Sequence, residues 1–538
     1  MHSNTVTFTY DAAGRKATET IADAGMSHTV QTAYDAAGRV AALTYPDGSV
    51  VTRTHTAGGQ LAEVSEGPTT YSTRTYDPGG RLAGEVYNNG VSATRSYNAD
   101  NTLLSIDHSG SIGDYAYSWD ANHNKTAETI TGVMSVHGFD QTTYDEEDRL
   151  TGWSTQSRTQ LWNLSAVCDW QSYSDNGTVQ NRTHGDVHQL LSVAGQAVGH
   201  DAKGNQTLLP PGLGRDAPLT MSWDFENRLS GADVDFDGVV GIRYRWDALG
   251  RRIGRKAGTA REAVYVHDGQ RVIADYGWNL SPGTPGYRYV YGDYIDEPLL
   301  RYNTANNGRL YYHRNQQYSV VALSNSSEAA VERYGYGAYG TVAIFSGGGS
   351  SRTRSTYGNR YTYTGREWDK ALSLYHYRAR MYDPEAGRFC SRDPIGYWDG
   401  SSLYRAYFAP NGVDPSGLSP PILPSKTPPW GPFHTEPLPA TDPATPYGPV
   451  VVIGAVCVIE LGPIVGPVII KCLPKKRPKP PRKSRPRQIE KCEQRGGVDE
   501  GTPIKPTTKP EEISPVPEII DILSSLPARP GPIDTAIA

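Results

Sequence analysis

One short phrase keeps recurring along the first half of this chain, and it constrains the fold more than any other feature. It is an aromatic residue followed by Asp, two or three small or polar residues, then Gly or Asn and usually Arg. It reads YDAAGR at Tyr10 and Tyr34, YDPGGR at Tyr76, YDEEDR at Tyr144, WDFENR at Trp223 and WDALGR at Trp246, with degraded copies at Tyr97, Trp119 and His200. Successive starts lie 24, 42, 21, 22, 25, 56, 23 and 23 residues apart, so the unit is 21 to 25 residues long and the 42-residue interval spans two of them. A fixed period of this size implies one supersecondary unit stacked on copies of itself.

Within each unit, apolar and polar residues alternate in runs such as VAALTY and SVVTRTH, broken by PDGS at Pro46, DPGG at Asp77, YNNG at Tyr87 and FDGV at Phe236. Period-2 alternation interrupted by Asp-Gly or Asn-Gly signals a β-hairpin, because those residues accept the positive φ of a tight turn. A lone hairpin buries too little to persist in water, so neighbouring copies must pair edge to edge. The 35 Tyr against 8 Phe, with 57 Gly, suit a pleated surface whose rings keep a hydroxyl for hydrogen bonding. No segment of the first 418 residues has sustained helical periodicity. The Asp of any single phrase reads as a turn cap without chemistry of its own.

A formal net charge of -5 on 538 residues is small and argues against bulk electrostatic capture of nucleic acid. The five cysteines, Cys168, Cys390, Cys457, Cys472 and Cys492, are scattered, with no CxxC pair and no zinc-like spacing, so neither a disulfide framework nor a metal cofactor is expected. The N-terminus has no basic-then-apolar signal and enters a repeat almost at once. Export is then expected either without such a signal or as the back end of a longer chain.

Residues 306–418 change phrase. RLYYHRNQQYSVVALSNSSEAAVERYGYGAYG, YTYTGREWDKALSLYHYRARMYDPEAGRFCSRDPIG and VDPSGL, in that order, resemble the core of the RHS/YD-repeat family: bacterial polymorphic toxins, toxin-complex C subunits and cell-surface repeat proteins. With the phrases upstream, the resemblance covers residues 1–418. It implies hairpins spiralling into a hollow β-shell, a core that curls inward as a plug, and a variable domain beyond the DPxGL phrase held as cargo. Spiral closure hides strand edges that would otherwise recruit other chains. Roughly ten units give about twenty strands and, at about 4.8 Å each, a ribbon of about 100 Å, so an all-β open or partial shell is expected.

The same resemblance implies self-cleavage after the Leu of DPxGL, carried by two aspartates about twenty positions apart. Here these are Asp393 of RDPIG and Asp414 of VDPSGL, with the break after Leu418 and Arg392 placed to keep Asp393 ionised. Two close carboxylates share one proton; one then acts as base for a water while the other protonates the leaving amide. The competing reading is ordinary turn sequence, Pro fixing φ and Asp capping the following amides. The stretch SLYRAYFAPNGVDPSGL also departs from the family pattern NLYxYxxNxPxxxxDPxGL: it lacks the first Asn, inserts Ala406 and is shortened before Asp414, which puts the position of Asp414 in question. Asp383 of YDPEAGRF and His313 of YYHRN read as structural. DVDFDG at Asp233 begins like a calcium loop but lacks the later bidentate Glu, and it reads as a hairpin turn.

After Leu418 the composition shifts. Residues 419–448 are a Pro/Thr-rich linker, and 449–538 form a variable, Pro-rich tail expected to be largely disordered. Val450–Ile470 is apolar and is followed, over 471–487, by nine basic residues and no acid. Three readings stand for the apolar segment: a membrane span, a hairpin-type insertion, and a β-rich segment packed in the shell. Its centre holds Glu460, and Pro463 and Pro467 break its second half. The basic run lacks aromatics for base stacking and reads as a solvated linker with membrane contact as the alternative. No catalytic constellation is visible in the tail.

The sequence therefore predicts a secreted or surface-exposed scaffold, 1–305 repeats and 306–418 core, that carries its own tail as enclosed or displayed cargo. An immunity protein or a secretion-apparatus partner would go with that role. The alternative is a structural or adhesive surface protein with no catalysis.

Overall fold

In a computed structural model of the chain, the described residues are 4–418, apart from 24, 279, 399 and 407–410, together with two tail strands, Cys457–Glu460 and Val468–Cys472. The expectations for the 419–448 linker, most of 450–470, the basic run beyond Cys472 and the rest of the tail lie outside them.

The phrase folds into one turn, repeated. At Tyr10, Asp11 Oδ1 accepts the backbone N–H groups of Ala13 and Arg15, each at 2.9 Å, and Asp11 Oδ2 accepts Arg15 Nε at 2.8 Å. Two backbone bonds, Gly14 N to Asp11 O and Asp11 N to Arg15 O, close it. The fourth residue from Asp takes positive φ: Gly14 at 78°, Asp148 at 58°, Asn227 at 61° and His123 at 67°. This is why Gly, Asn or Asp recurs there. The register shifts between Thr9 and Tyr10, a bulge that increases local twist.

Neighbouring units are then locked together. Arg15 lies over the Tyr34 ring at 4.6 Å, while the Tyr34 hydroxyl donates to the carbonyl of Lys16, the residue just after the previous phrase, at 2.9 Å. Arg81 and Tyr97 repeat this at 4.5 Å, with Tyr97 bonded to Leu82 O at 2.9 Å. Arg228 and Trp246 do so at 5.8 Å, with the indole N–H on Leu229 O at 2.9 Å. One hydrogen bond and one cation–π contact amount to about 1–2 kcal/mol per junction. The same turn also recurs where the letters are lost: Thr56 occupies the middle of the 42-residue interval, and Ser165 and Gly185 divide the 56-residue interval. The missing periods are present in space.

Strands pair antiparallel with their sequence neighbours. Among the described residues one sheet has 21 strands, from Asn4–Tyr10 to Gln196–Ala197 plus the two tail strands; a second has 15, from Gly199–His200 to Ser351–Arg352; a third has four, from Glu367–Asp369 to Arg388–Phe389. The open, nearly all-β architecture agrees with the sequence reading, although the strands outnumber the roughly twenty expected because the disguised turns, the core from residue 308 onward and the two tail strands all add to the recognised repeats. Among the described residues, helix is confined to the short 3-10 turns Gly132–His137 and Tyr363–Gly365. No described helix is long and apolar enough to cross a membrane. Cys457–Glu460 pairs with Val468–Cys472, which in turn adds to the edge of Asn4–Tyr10 with Val6 opposite Ile470.

Repeat strands such as Thr159–Leu164 alternate exposed and buried positions, whereas core strands such as Val320–Ser324 and Leu374–Tyr377 are buried throughout. The core strands are thus covered on both faces. The inner faces of the two long sheets meet in one core containing Val51, Leu61, Val64, Leu299, Tyr312 and Leu323. Tyr45 donates to Tyr289 O at 2.7 Å and Tyr87 to Tyr312 O at 2.9 Å across this seam, so the two sheets are in direct contact at these positions. Beside it, Arg74 and Arg314 of opposite sheets bridge Glu85 and Glu297 at 2.6–3.0 Å, all four side chains at most 4% exposed. Burial alone would raise both carboxyls, but the two guanidinium groups outweigh it and hold both below the ordinary value.

Two outcomes follow from this packing. Asp77→Ala, which strips Arg81 of its anchor, should cost about 1–2 kcal/mol by urea denaturation, against less than about 0.5 for Ala at the exposed Asp186. For the seam, depressed folded-state values mean stability that is present above the unfolded value of about 4.3 and lost as pH falls through the folded values. Glu85→Ala, which leaves two buried guanidinium groups sharing one carboxylate, should cost about 3–5 kcal/mol at pH 7. Its melting temperature should then fall less than the parent's between pH 5 and pH 2.

Candidate functional site

The small third sheet builds the end of the core. Leu374–Tyr377 and Arg380–Asp383 form a hairpin closed by Arg378, at φ 53°, and Ala379. The VDPSGL turn docks on its tip: Ala379 N donates to Ser416 O at 3.2 Å, and Arg378 donates to Pro415 O. Asp296, from the second sheet, anchors Arg378 at 2.6 Å and Arg366 at 2.7 Å. Burial and the neighbouring Arg366 push the Arg378 guanidinium below its ordinary value, with Asp296 opposing. Gly417 sits at φ 72°, and a Cβ there would lie 2.1 Å from Tyr377 O, so the Gly of DPxGL is required by backbone contact.

The candidate aspartates converge on that glycine. Asp414, 2% exposed, accepts the Gly417 N–H at 2.8 Å and the Ser416 hydroxyl at 3.3 Å through Oδ1. Leu418 N donates to Ser416 Oγ at 3.1 Å, which fixes the residue that precedes the expected break. Asp393, 6% exposed, forms an ion pair with Arg380 at 2.6 Å, and its Oδ1 accepts Ile395 N at 3.0 Å. Arg380 also donates to the Gly417 carbonyl and lies 3.7 Å from the Phe389 ring centroid. A chain of contacts therefore runs from the Asp393 carboxylate through Arg380 to the Gly417 carbonyl, and from the Gly417 N–H to the Asp414 carboxylate. The shortened stretch before Asp414 still delivers that residue to the turn.

Arg392 has its Nε on the Tyr404 hydroxyl at 3.2 Å and makes no ion pair with Asp393; the pairing cation is Arg380. Residues 392 and 393 turn in different directions as the chain leaves Arg388–Phe389, and the Tyr404 hydroxyl is itself held by Gly204 O at 2.8 Å. Arg380 was missed because its contacts reach 13 and 37 residues along the chain; the one available signal was an Arg inside an otherwise buried strand pattern. Asp383, fully buried, caps Glu385 N and Ala386 N and meets Arg215 at 3.1 Å. His313 is 1% exposed, lies 2.8 Å from Ser324 Oγ, and burial pushes it well below the ordinary imidazole value. Both have the contacts of packed structural residues.

The RHS Repeat profile matches residues 34–68. The tRNA3(Ser)-specific nuclease WapA of Bacillus spizizenii is 29% identical over 243 residues, 44% of this chain and 10% of that protein. Toxin subunit YenC1 of Yersinia entomophaga is 28% identical over 289 residues, 48% of this chain and 28% of that one. Among solved structures, the TcdB2-TccC3 crystal structure superposes with a TM-score of 0.62 at 17% identity, covering 77% of this chain and 24% of that chain. The Photorhabdus luminescens Tc holotoxin pore gives a TM-score of 0.64 at 17% identity, covering 78% and 24%. The chain thus spans between a tenth and just over a quarter of these relatives. The chain is similar to RHS-repeat and toxin-complex proteins in its turn phrase and ordered core phrases, and it shares the fold of the TcC-type β-shell.

Proposed function

We propose that this chain is a β-shell scaffold that carries the variable region 419–538 and releases it by a single self-cleavage after Leu418. The observation that carries the reading is the Gly417 peptide, gripped at its N–H by Asp414 and at its carbonyl by an Arg380 already paired with Asp393. A buried guanidinium beside Asp393 supplies the charge that its carboxylate needs away from water. Asp393 takes a proton from a water, whose oxygen adds to the Leu418 carbonyl carbon. Collapse of the tetrahedral adduct breaks the bond to Ser419 nitrogen, which takes its proton from Asp414, the aspartate that holds the one proton the pair shares at the outset, while Asp393 keeps the proton from water. The products are a Leu418 carboxylate and a Ser419 amine, and each site works once. Arg380 is a positioning residue, since one planar fork reaches both Asp393 and the backbone.

The repeats and core serve in this reading as the carrier, and the tail as cargo, displayed or enclosed. Kinship with toxin-type proteins supports a secreted or surface setting, with an immunity protein or secretion apparatus as further partners and 450–487 as the segment for membrane contact. Nothing in the core geometry calls for a cofactor.

On a denaturing gel, the purified full chain should yield a fragment whose mass begins at Ser419, and Asp393→Asn and Asp414→Asn should leave the chain whole. An uncut parent chain would instead favour the structural or adhesive surface reading. Arg380→Lys keeps the charge but loses the fork; fragment accumulation should slow about 10–100-fold. Mere destabilisation would not do this if the variant's melting temperature stays within a few degrees of the parent's.

A further inference from the structure

The DVDFDG run at Asp233 is the motif that the shell does not absorb. It joins strands Leu229–Asp233 and Ile242–Trp246, which share only two paired positions, Gly231 with Arg243 and Ala232 with Ile242. The eight residues between, 234–241, do not form the phrase turn. Their backbone is held instead by carboxylates: Gly238 N donates to Asp233 Oδ2 at 2.9 Å and Val239 N to Asp237 Oδ1 at 2.7 Å.

One carboxylate oxygen each from Asp233, Asp235 and Asp237 lies within 4.8 Å of the others. Asp235 and Asp237 are exposed, but Asp233 is 6% exposed, and its Oδ1 is buried without a hydrogen-bond donor. A buried carboxylate oxygen with no donor is a costly arrangement that a cation bound beside it resolves. Among the described residues none of the three forms an ion pair with Lys or Arg.

We propose that Asp233, Asp235 and Asp237 bind one Ca²⁺. Ca²⁺ accepts six to eight oxygens in a flexible shell, which an irregular loop can supply, whereas Mg²⁺ demands a strict octahedron. The all-oxygen set suits a hard cation and not zinc. The spacing is that of positions 1, 3 and 5 of a calcium loop, and position 6 is Gly238 at φ 86°, where the chain must turn sharply. Tyr244 stands where the bidentate Glu of such a loop would be, so waters and loop carbonyls complete the shell. The affinity belongs with weak extracellular modules, about 10⁻⁴–10⁻³ M. Millimolar Ca²⁺ outside cells would pin the short β-rung at Gly231–Ala232, and cytosolic levels would release it.

The test is calorimetric titration of the EDTA-stripped full chain with CaCl₂ and, separately, MgCl₂, with thermal melting in each. One Ca²⁺ site with a Kd of about 0.1–1 mM, at least about 10-fold weaker Mg²⁺ binding and a rise of about 1–2 °C in 10 mM Ca²⁺ are expected. The double variant Asp235→Asn/Asp237→Asn, at two exposed positions, should lose both the heat and the shift while keeping the parent's circular dichroism; Asp235→Asn alone should weaken binding about 10-fold. No Ca²⁺-specific heat in the parent, or equal heat in the variants, overturns the site.

Discussion

The structure depends on a coupling that each turn makes to the next. An aspartate caps its own turn, the arginine it anchors lies under the next aromatic, and that aromatic returns a hydrogen bond to the carbonyl beside the arginine. Each element is worth little alone, about 0.5–1.5 kcal/mol. Their alignment matters because every contact that stabilises a turn also fixes the position of its neighbour. Local turn chemistry and sheet assembly are thereby the same interaction, which is the consistency expected of a sequence that specifies one fold.

This coupling explains how a chain with so much glycine and few large aliphatic clusters makes a wall. Lateral pairing satisfies the backbone, and the tyrosines that bridge the long sheets, Tyr45 and Tyr87, fill the seam while spending their hydroxyls on carbonyls of the opposite sheet. The quartet of Arg74, Glu85, Arg314 and Glu297 sets which strand faces which, because a misregistered seam would leave buried charge unpaired. The core uses the same chemistry at the DPSGL turn, where Arg378, the Ala379 N–H and Arg380 hold the carbonyls of Pro415, Ser416 and Gly417 in turn. The chain leaves the shell through a segment whose backbone is held residue by residue.

The turn phrase was legible in the sequence because positive φ selects Gly, Asn or Asp at one position, as Gly14, Asn227 and Asp148 show. The turns at Thr56, Ser165 and Gly185 were not, because a hydroxyl, or at Gly185 the backbone alone, can close the same geometry without the signature letters. Asp393 and Asp414 were expected from phrase resemblance, and the structure places Asp414 on the Gly417 N–H and Asp393 one contact away through Arg380. The role expected of Arg392 was assigned by adjacency along the chain, which carries no information about side-chain direction in an irregular segment. Arg380 lies in a buried strand, where arginine identity alone does not reveal a partner 37 residues away. The acidic loop at Asp233 was read as a turn because the closing Glu is missing; the grouping of its three carboxylates is visible only in space.

Native-state amide hydrogen exchange tests most directly whether the hairpins zip into one wall. The Ser92–Tyr97 strand pairs with Leu82–Tyr87 of the preceding unit, through Gly84 with Thr94 and Val86 with Ser92, and with Leu103–His108 of its own. The account predicts that amides in the rungs between units are protected as strongly as those within a hairpin and open with them in one cooperative step. Exchange between units at loop-like rates, with protection confined to single hairpins, would contradict it.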